Sequence, residues 1–270
     1  VFRELTEKIK SWDEKYGAEN IIKVANLNSP GYLKHYFNRF DHPTELALYN
    51  LEPDSNLARL RSILQKSPQE YIAFAWSTRY VPLEAYLIIR SDFPFLVEAD
   101  PHFNSGAYLF GKEKGQMLPE KYTYSVMDSL NAGAVHGLDH SKIINDSVSV
   151  SYKMNAQDEY AFNWEQSAKS LQLQGGDILV AKADIQADPG IELTLVLEIL
   201  SSSGDNKWYG KDLYPAFSNK NSKQHEMFAA FETPKELSDE DRVKVYLWQR
   251  SKLPIIIEEI EINVYPELVP

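Results

Sequence analysis

The chain has 270 residues, 43% hydrophobic and 25% charged, with a formal net charge of −11. That composition describes a globular chain able to bury a core, and its acidity argues against nucleic acid as a partner, because phosphate-backbone affinity comes from clustered Lys and Arg. There is no cysteine, which excludes disulfides, thiolate metal sites and Cys nucleophiles, and no apolar run approaches the roughly 20 residues that a spanning helix needs. The opening Val1-Phe2-Arg3 has neither an initiator Met nor a signal segment, so the chain is read as a piece of something longer.

In chain order, the first part alternates helical and strand signals. Phe2, Leu5, Ile9, Trp12 and Tyr16 form one stripe of an amphipathic helix, with Gly17 where a C-terminal cap belongs. Residues 21–25 read as a buried strand closed by Asn28-Ser29-Pro30-Gly31, Tyr32 to Phe40 as a helix, and 46–49 as a strand. A helix then starts near Pro53-Asp54-Ser55 and carries Leu57, Leu60, Ile63 and Leu64. Residues 71–76 are a strand, Pro82 opens a helix through Ile89, and 95–97 and 107–110 read as edge strands. Strand–helix alternation with short links predicts a small, mainly parallel α/β domain over residues 1–115.

Beyond residue 115 the helical period is lost. Charge shifts too: residues 1–115 hold 14 basic and 15 acidic side chains, residues 116–270 hold 14 and 24. Val148, Val150 and Tyr152 alternate with serines, and strands are predicted at 177–185, 191–200, 227–231, 242–248 and 255–265. Ile191, Leu193, Leu195, Leu197 and Ile199 share one aliphatic face, as do Val243, Val245 and Leu247, which leaves Lys244, Tyr246 and Trp248 on the other. Gly175-Gly176, Asp188-Pro189-Gly190 and Ser203-Gly204-Asp205-Asn206 mark turns. The expected architecture of residues 116–270 is an antiparallel jelly-roll β-sandwich, with the link between domains near 111–120.

No phosphate-binding glycine loop and no Gly-x-Ser-x-Gly elbow is present. His136 and His140 lie four apart, but among glycines and without the zincin glutamate, so a loop is the simpler reading than a metal site. Glu258 is different. If Ile260, Ile262 and Val264 face inward, period two brings Glu258 to the same side, where an unpaired carboxylate is costly. It should therefore sit at a strand end, on a bulge, or against a cation, for which structural Ca²⁺ is the candidate. The aromatic content, five Trp and 16 Tyr, gives a second lead. Sugars lay apolar C–H faces on aromatic rings while a few polar groups satisfy hydroxyls. Trp208 and Tyr209, flanked by Asp205, Asn206 and Asp212, combine both features, and Trp164 and Trp248 are similar.

The stretches Tyr32-Leu33-Lys34-His35-Tyr36-Phe37, Tyr71 to Thr78, Pro82-Leu83-Glu84-Ala85-Tyr86 and Asp92-Phe93-Pro94 resemble the soluble tail of Bacteroidetes membrane glycosyltransferases of the dolichyl-phosphate-mannose mannosyltransferase and aminoarabinose transferase type. Val243 to Trp248 and Ile256 to Ile260 resemble galactose-binding-like β-sandwich modules, many of which bind carbohydrate or structural calcium. The resemblance implies an extracytoplasmic (periplasmic) region tethered to the inner membrane by a membrane-embedded portion of the same polypeptide. It implies no catalytic residue here, because the catalytic acid of that type lies between membrane spans. The expected function is a non-catalytic accessory region that binds or orients carbohydrate, with no required cofactor and structural Ca²⁺ as the one candidate ion. A ligand-free structural module and a free-standing carbohydrate-active hydrolase are the alternatives.

Overall fold

A computed structural model describes residues 1–270 except 28, 52–53, 78–80, 103, 127–138, 146–149, 189, 214–222 and 267–270. Asn28, Pro53, Thr78, His136, Val148 and Pro189, used above, lie outside the described residues. The chain divides into two compact units, Val1–Leu118 and Pro119–Val269.

In the first unit, helix α1 (Phe2–Tyr16) buries Leu5, Ile9 and Trp12, and ends at Gly17, whose φ of 86° is open to glycine and strained for other residues. Next come β1 (Ile21–Asn26), α2 (Gly31–Arg39), β2 (Leu48–Tyr49), α3 (Asp54–Lys66), β3 (Tyr71–Trp76), α4 (Leu83–Asp92), β4 (Phe95–His102), β5 (Ser105–Gly111) and β6 (Gln116–Met117). The strands form one sheet in the order β2-β1-β3-β5-β4-β6. β1 and β3 are buried at every position, as strands covered on both faces must be. Leu5, Ile9 and Trp12 of α1 and Leu33 and Phe37 of α2 join Ile21, Ala25, Ala73 and Leu109 in one cluster. On the opposite face, Tyr86 of α4 meets Phe110 and Tyr108, with ring centroids 5.7 and 6.4 Å apart.

The expectation of a mainly parallel sheet is corrected. β2, β1 and β3 are parallel, but β5, β4 and β6 continue the sheet in antiparallel pairs. The reason is chain length. Only residues 103–104 separate β4 from β5, and a parallel crossover needs about a dozen residues or more. Gln116 and Met117 pair with Leu96 and Phe95, so this unit reaches past residue 115.

The second unit contains β7 (Tyr122–Ser125), β8 (Ile143–Asn145), β9 (Val150–Met154), β10 (Tyr160–Ser167), β11 (Ile178–Ala187), β12 (Leu193–Leu200), β13 (Lys207–Leu213), β14 (Gln224–Glu232), β15 (Arg242–Gln249) and β16 (Ile255–Tyr265). One sheet runs β10-β15-β12-β13; the other runs β14-β11-β16-β9-β8, with β7 also on β16. Every pairing is antiparallel. Leu193, Leu195, Leu197, Ile199, Val243, Val245 and Leu247 from the first sheet pack with Leu179, Ala181, Ala183, Ile257, Ile260 and Ile262 from the second, so the core of this unit is a sandwich filling. Among the described residues, no helix is long and apolar enough to cross a membrane.

Candidate functional site

In the four-stranded sheet, residues directly opposite one another share a face. Because Leu193, Leu195 and Leu197 point into the core, their neighbours Thr194, Val196 and Glu198 point out. Register then builds three cross-strand rows on the outer face: Asp212, Thr194, Trp248 and Tyr160; Gly210, Val196 and Tyr246; Trp208, Glu198, Lys244 and Glu165. Four aromatic side chains thus occupy the solvent side of one sheet. Trp208 is 54% exposed and Tyr160 51% exposed, while Tyr246 and Trp248 are half-buried. Tyr160 and Trp248 stack with ring centroids 6.3 Å apart and planes 14° from parallel, and Tyr160 meets Tyr246 edge-on at 6.0 Å. The indole N–H of Trp208 donates to the Tyr246 hydroxyl at 3.3 Å. From β10 to β13 the face spans about 14 Å at ordinary strand spacing, wider than one six-membered ring.

Charged groups edge these rings. The Arg250 guanidinium lies 5.2 Å from the Trp248 ring and donates to Asp212 Oδ1 at 2.9 Å. The Thr194 hydroxyl donates to the same oxygen. Lys244 Nζ lies 4.9 Å from the Tyr246 ring. Flat apolar surfaces bordered by fixed donors and acceptors match the two faces of a sugar ring system, its C–H side and its hydroxyls.

The sequence-predicted residues separate. The sequence predicts a turn at 203–206 and no strand after it, but Lys207–Leu213 is the edge strand β13, and alternation sends neighbours to opposite faces. Trp208 and Asp212 share the outer face. Tyr209 pairs with Leu197, packs against the core, and lies 6.4 Å from Phe231, so it is no part of a platform with Trp208. Asp205 is taken by Lys207 at 2.7 Å, and the Asn206 side chain accepts the Ser201 N–H at 3.0 Å; both residues close the turn. Trp248 lies on the outer face, whereas Trp164 is buried. Sequence reading placed Lys244, Tyr246 and Trp248 together on one face and named Trp248 as a candidate ring, but it gave Tyr246 no part and passed over Tyr160, whose signal is the pairing of β10 with β15.

Glu258 sits on a bulge. The β11–β16 register shifts between Asp184, opposite Glu259, and Ile185, opposite Ile257, leaving Glu258 unopposed. Its carboxylate accepts the side-chain amide of Gln186, and that of Gln224 at 3.4 Å. Among the described residues, no group of three or more His, Cys, Asp or Glu side chains is placed to hold a metal ion.

No family model and no curated protein matches the chain. Among solved structures, similarity is found to carbohydrate-binding modules. The CBM22-1–GH10 modules of Clostridium thermocellum xylanase 10B, complexed with xylohexaose, align at 13% identity and TM-score 0.33 over 56% of this chain. That match spans only 26% of the xylanase chain. The C-terminal family 22 module of the same xylanase aligns at 12% identity and TM-score 0.35, over 54% of this chain and 96% of that one. The CBM22-1 xylan-binding domain of Paenibacillus barcinonensis Xyn10C aligns at 8% identity and TM-score 0.32, over 55% and 83%. Scores this low carry no argument about fold or ligand; the sandwich and its aromatic face rest on the register and side-chain geometry above.

Proposed function

We propose that the second unit is a jelly-roll module that binds an uncharged glycan chain across the outer face of its four-stranded sheet. Trp208, Trp248 and Tyr160 present ring faces to sugar C–H surfaces, Tyr246 braces Trp208, and Arg250, Asp212 and Lys244 address hydroxyls. The observation that carries this reading is the gathering of four aromatic side chains, two of them more than half exposed, on the solvent side of one sheet. Isolated exposed apolar residues are ordinary, whereas a grouped aromatic surface with a polar border marks a binding surface. Such a module would hold or orient glycan for an extracytoplasmic, membrane-tethered protein of glycosyltransferase type. That context is supported by the sequence resemblance alone, and no residue of this chain is given a catalytic role.

The test is calorimetric titration of the full chain with neutral oligosaccharides, including xylo-, cello-, manno- and galacto-oligomers, beside Trp208→Ala and Trp248→Ala. Saturable binding that weakens at least tenfold in both variants supports the face as the site. Binding that survives both variants moves it elsewhere, and no binding across the panel leaves the ligand-free structural module.

A further inference from the structure

The outer face of the four-stranded sheet carries a length scale. Its two most exposed rings stand on opposite edge strands, Trp208 on β13 and Tyr160 on β10, with β12 and β15 between them. Three strand spacings of about 4.8 Å put these edges about 14 Å apart. The ground between the two rings is continuous. Trp208 lies over Gly210, and its indole N–H reaches across to the Tyr246 hydroxyl on β15 at 3.3 Å. Val196 of β12 is in register between Gly210 and Tyr246 and on the solvent side, yet it is fully buried, so the two rings roof it. Tyr246 in turn meets Tyr160 at 6.0 Å.

Along the strands the same ground is short. Glu198, Lys244 and Glu165 form a charged row on one side, and Asp212 with Arg250 closes the other. Two residues of a strand cover about 7 Å, roughly the width of one pyranose ring. The aromatic strip is therefore one ring wide and three strand spacings long. A chain laid along the strands meets charge, whereas a chain laid across them touches both exposed rings. An extended pyranose chain advances by close to one strand spacing per residue, so roughly four residues reach from β13 to β10. Two contacts joined by one ligand reinforce each other, because the second forms at the effective concentration set by the linking residues.

We propose, resting on the glycan reading above, that this face selects its ligand by length and direction. It takes linear, neutral chains of about four residues or more, laid across the strands at one residue per strand, with Trp208 and Tyr160 as the two end contacts. Monosaccharides and disaccharides reach only one of those rings and are held weakly.

The experiment is an NMR titration of the full chain with xylo-, cello-, manno- and galacto-oligosaccharides of one to six residues. In a series that binds, Kd is expected to fall at least tenfold between two and four residues, and by less than about twofold per residue beyond four. Trp208→Ala and Tyr160→Ala should each weaken the tetrasaccharide at least tenfold but the disaccharide only about twofold, because a disaccharide occupies either end. Retained disaccharide binding also shows that both variants are folded. A disaccharide bound within about threefold of the hexasaccharide, and weakened by Trp208→Ala, leaves a glycan site without a length requirement and overturns this inference alone. A length dependence that Tyr160→Ala leaves intact does the same. Absence of binding in every series, or binding that neither variant changes, removes the face as a glycan site and this inference with it.

Discussion

The indole of Trp208 lies against Gly210, two residues along the same face of β13. A Cβ at position 210 would overlap the ring, coming within 2.9 Å of Trp208 Cζ2 and 3.1 Å of Thr194 Cγ2. Gly210 is thus the floor on which the ring lies flat, and the Tyr246 hydroxyl holds its edge. Gly210→Ala is expected to lift the indole and weaken oligosaccharide binding roughly as much as Trp208→Ala. Because the residue is on the outer face of an edge strand, folding stability should change by about 1 kcal/mol or less. Calorimetry and the tryptophan emission maximum check both points; unchanged affinity would remove the flat-ring account.

In the first unit, Glu98 of β4 receives four hydrogen bonds from one face of α1: Lys15 at 2.7 Å, Trp12 Nε1 and the Tyr16 hydroxyl at 2.9 Å, and Lys8 at 3.0 Å. Burial works against the ionised form, but these donors outweigh it and hold the carboxyl down at about 2, from 4.5. A depressed carboxylate contributes stability that is complete above its unfolded value and is lost as the pH falls toward its folded one. The contribution should therefore fade between about pH 4.5 and pH 2. Glu98→Gln is expected to cost at most about 3 kcal/mol at pH 7, less the solvent screening of exposed Lys15, and to cost little below pH 2. Urea melts across that range, followed by the fluorescence of Trp12 and Trp76, provide the check.

The sandwich core gives a sharper contrast. Leu195 is fully buried at the centre of β12, between Leu247 and Lys211, so Leu195→Ala should cost about 2–5 kcal/mol. Glu192 is exposed just before the strand, and Glu192→Ala should stay within about 0.5 kcal/mol. Equal losses in denaturant melts would contradict the assignment of faces.

Glu258 is satisfied by amide donors on neighbouring strands. Melting is therefore expected to be the same with calcium and with a chelator, while Glu258→Ala lowers stability by about 1 kcal/mol through loss of the Gln186 and Gln224 bonds. A rise in melting temperature on adding calcium would restore the ion that Glu258 alone suggests.

These residues also show what sequence could and could not carry. Strand faces such as Leu193 to Ile199 and Val243 to Leu247 were legible, because burial on one side of a sheet writes itself as period two. The bulge at Glu258 was among the resolutions that period two required, since an acidic residue cannot continue an inward face. β13 was hidden: Gly204 and Asp205 announce a turn, and Lys207-Trp208-Tyr209-Gly210-Lys211 shows no apolar alternation because an edge strand is only half covered. Tyr209 was consequently joined to Trp208, its neighbour in sequence and its opposite in space. The antiparallel half of the first sheet was hidden for another reason, because strand direction is fixed by connection length and not by the composition of Phe95 to Gly111.

The first unit also contains a buried ion pair whose energetics differ from those of Glu98. Asp13 of α1 and Lys23 of β1 lie 2.8 Å apart with side chains 1% and 7% exposed. His42 reaches the other carboxylate oxygen at 2.9 Å, and Lys23 Nζ also donates to the Ala18 carbonyl at 2.9 Å. The pair closes the α1–β1 connection, and each partner exists in the core only because the other is there. Asp13→Leu should cost about 3–5 kcal/mol, because it strands a buried ammonium. Lys23→Met should cost less, since His42 stays beside the carboxylate. The double variant should be more stable than Asp13→Leu alone, as a well-packed apolar pair removes both desolvation costs. A double-mutant cycle in urea measures this directly. If the double variant loses the sum of the two single losses, the residues act independently and the pair does not lock the connection.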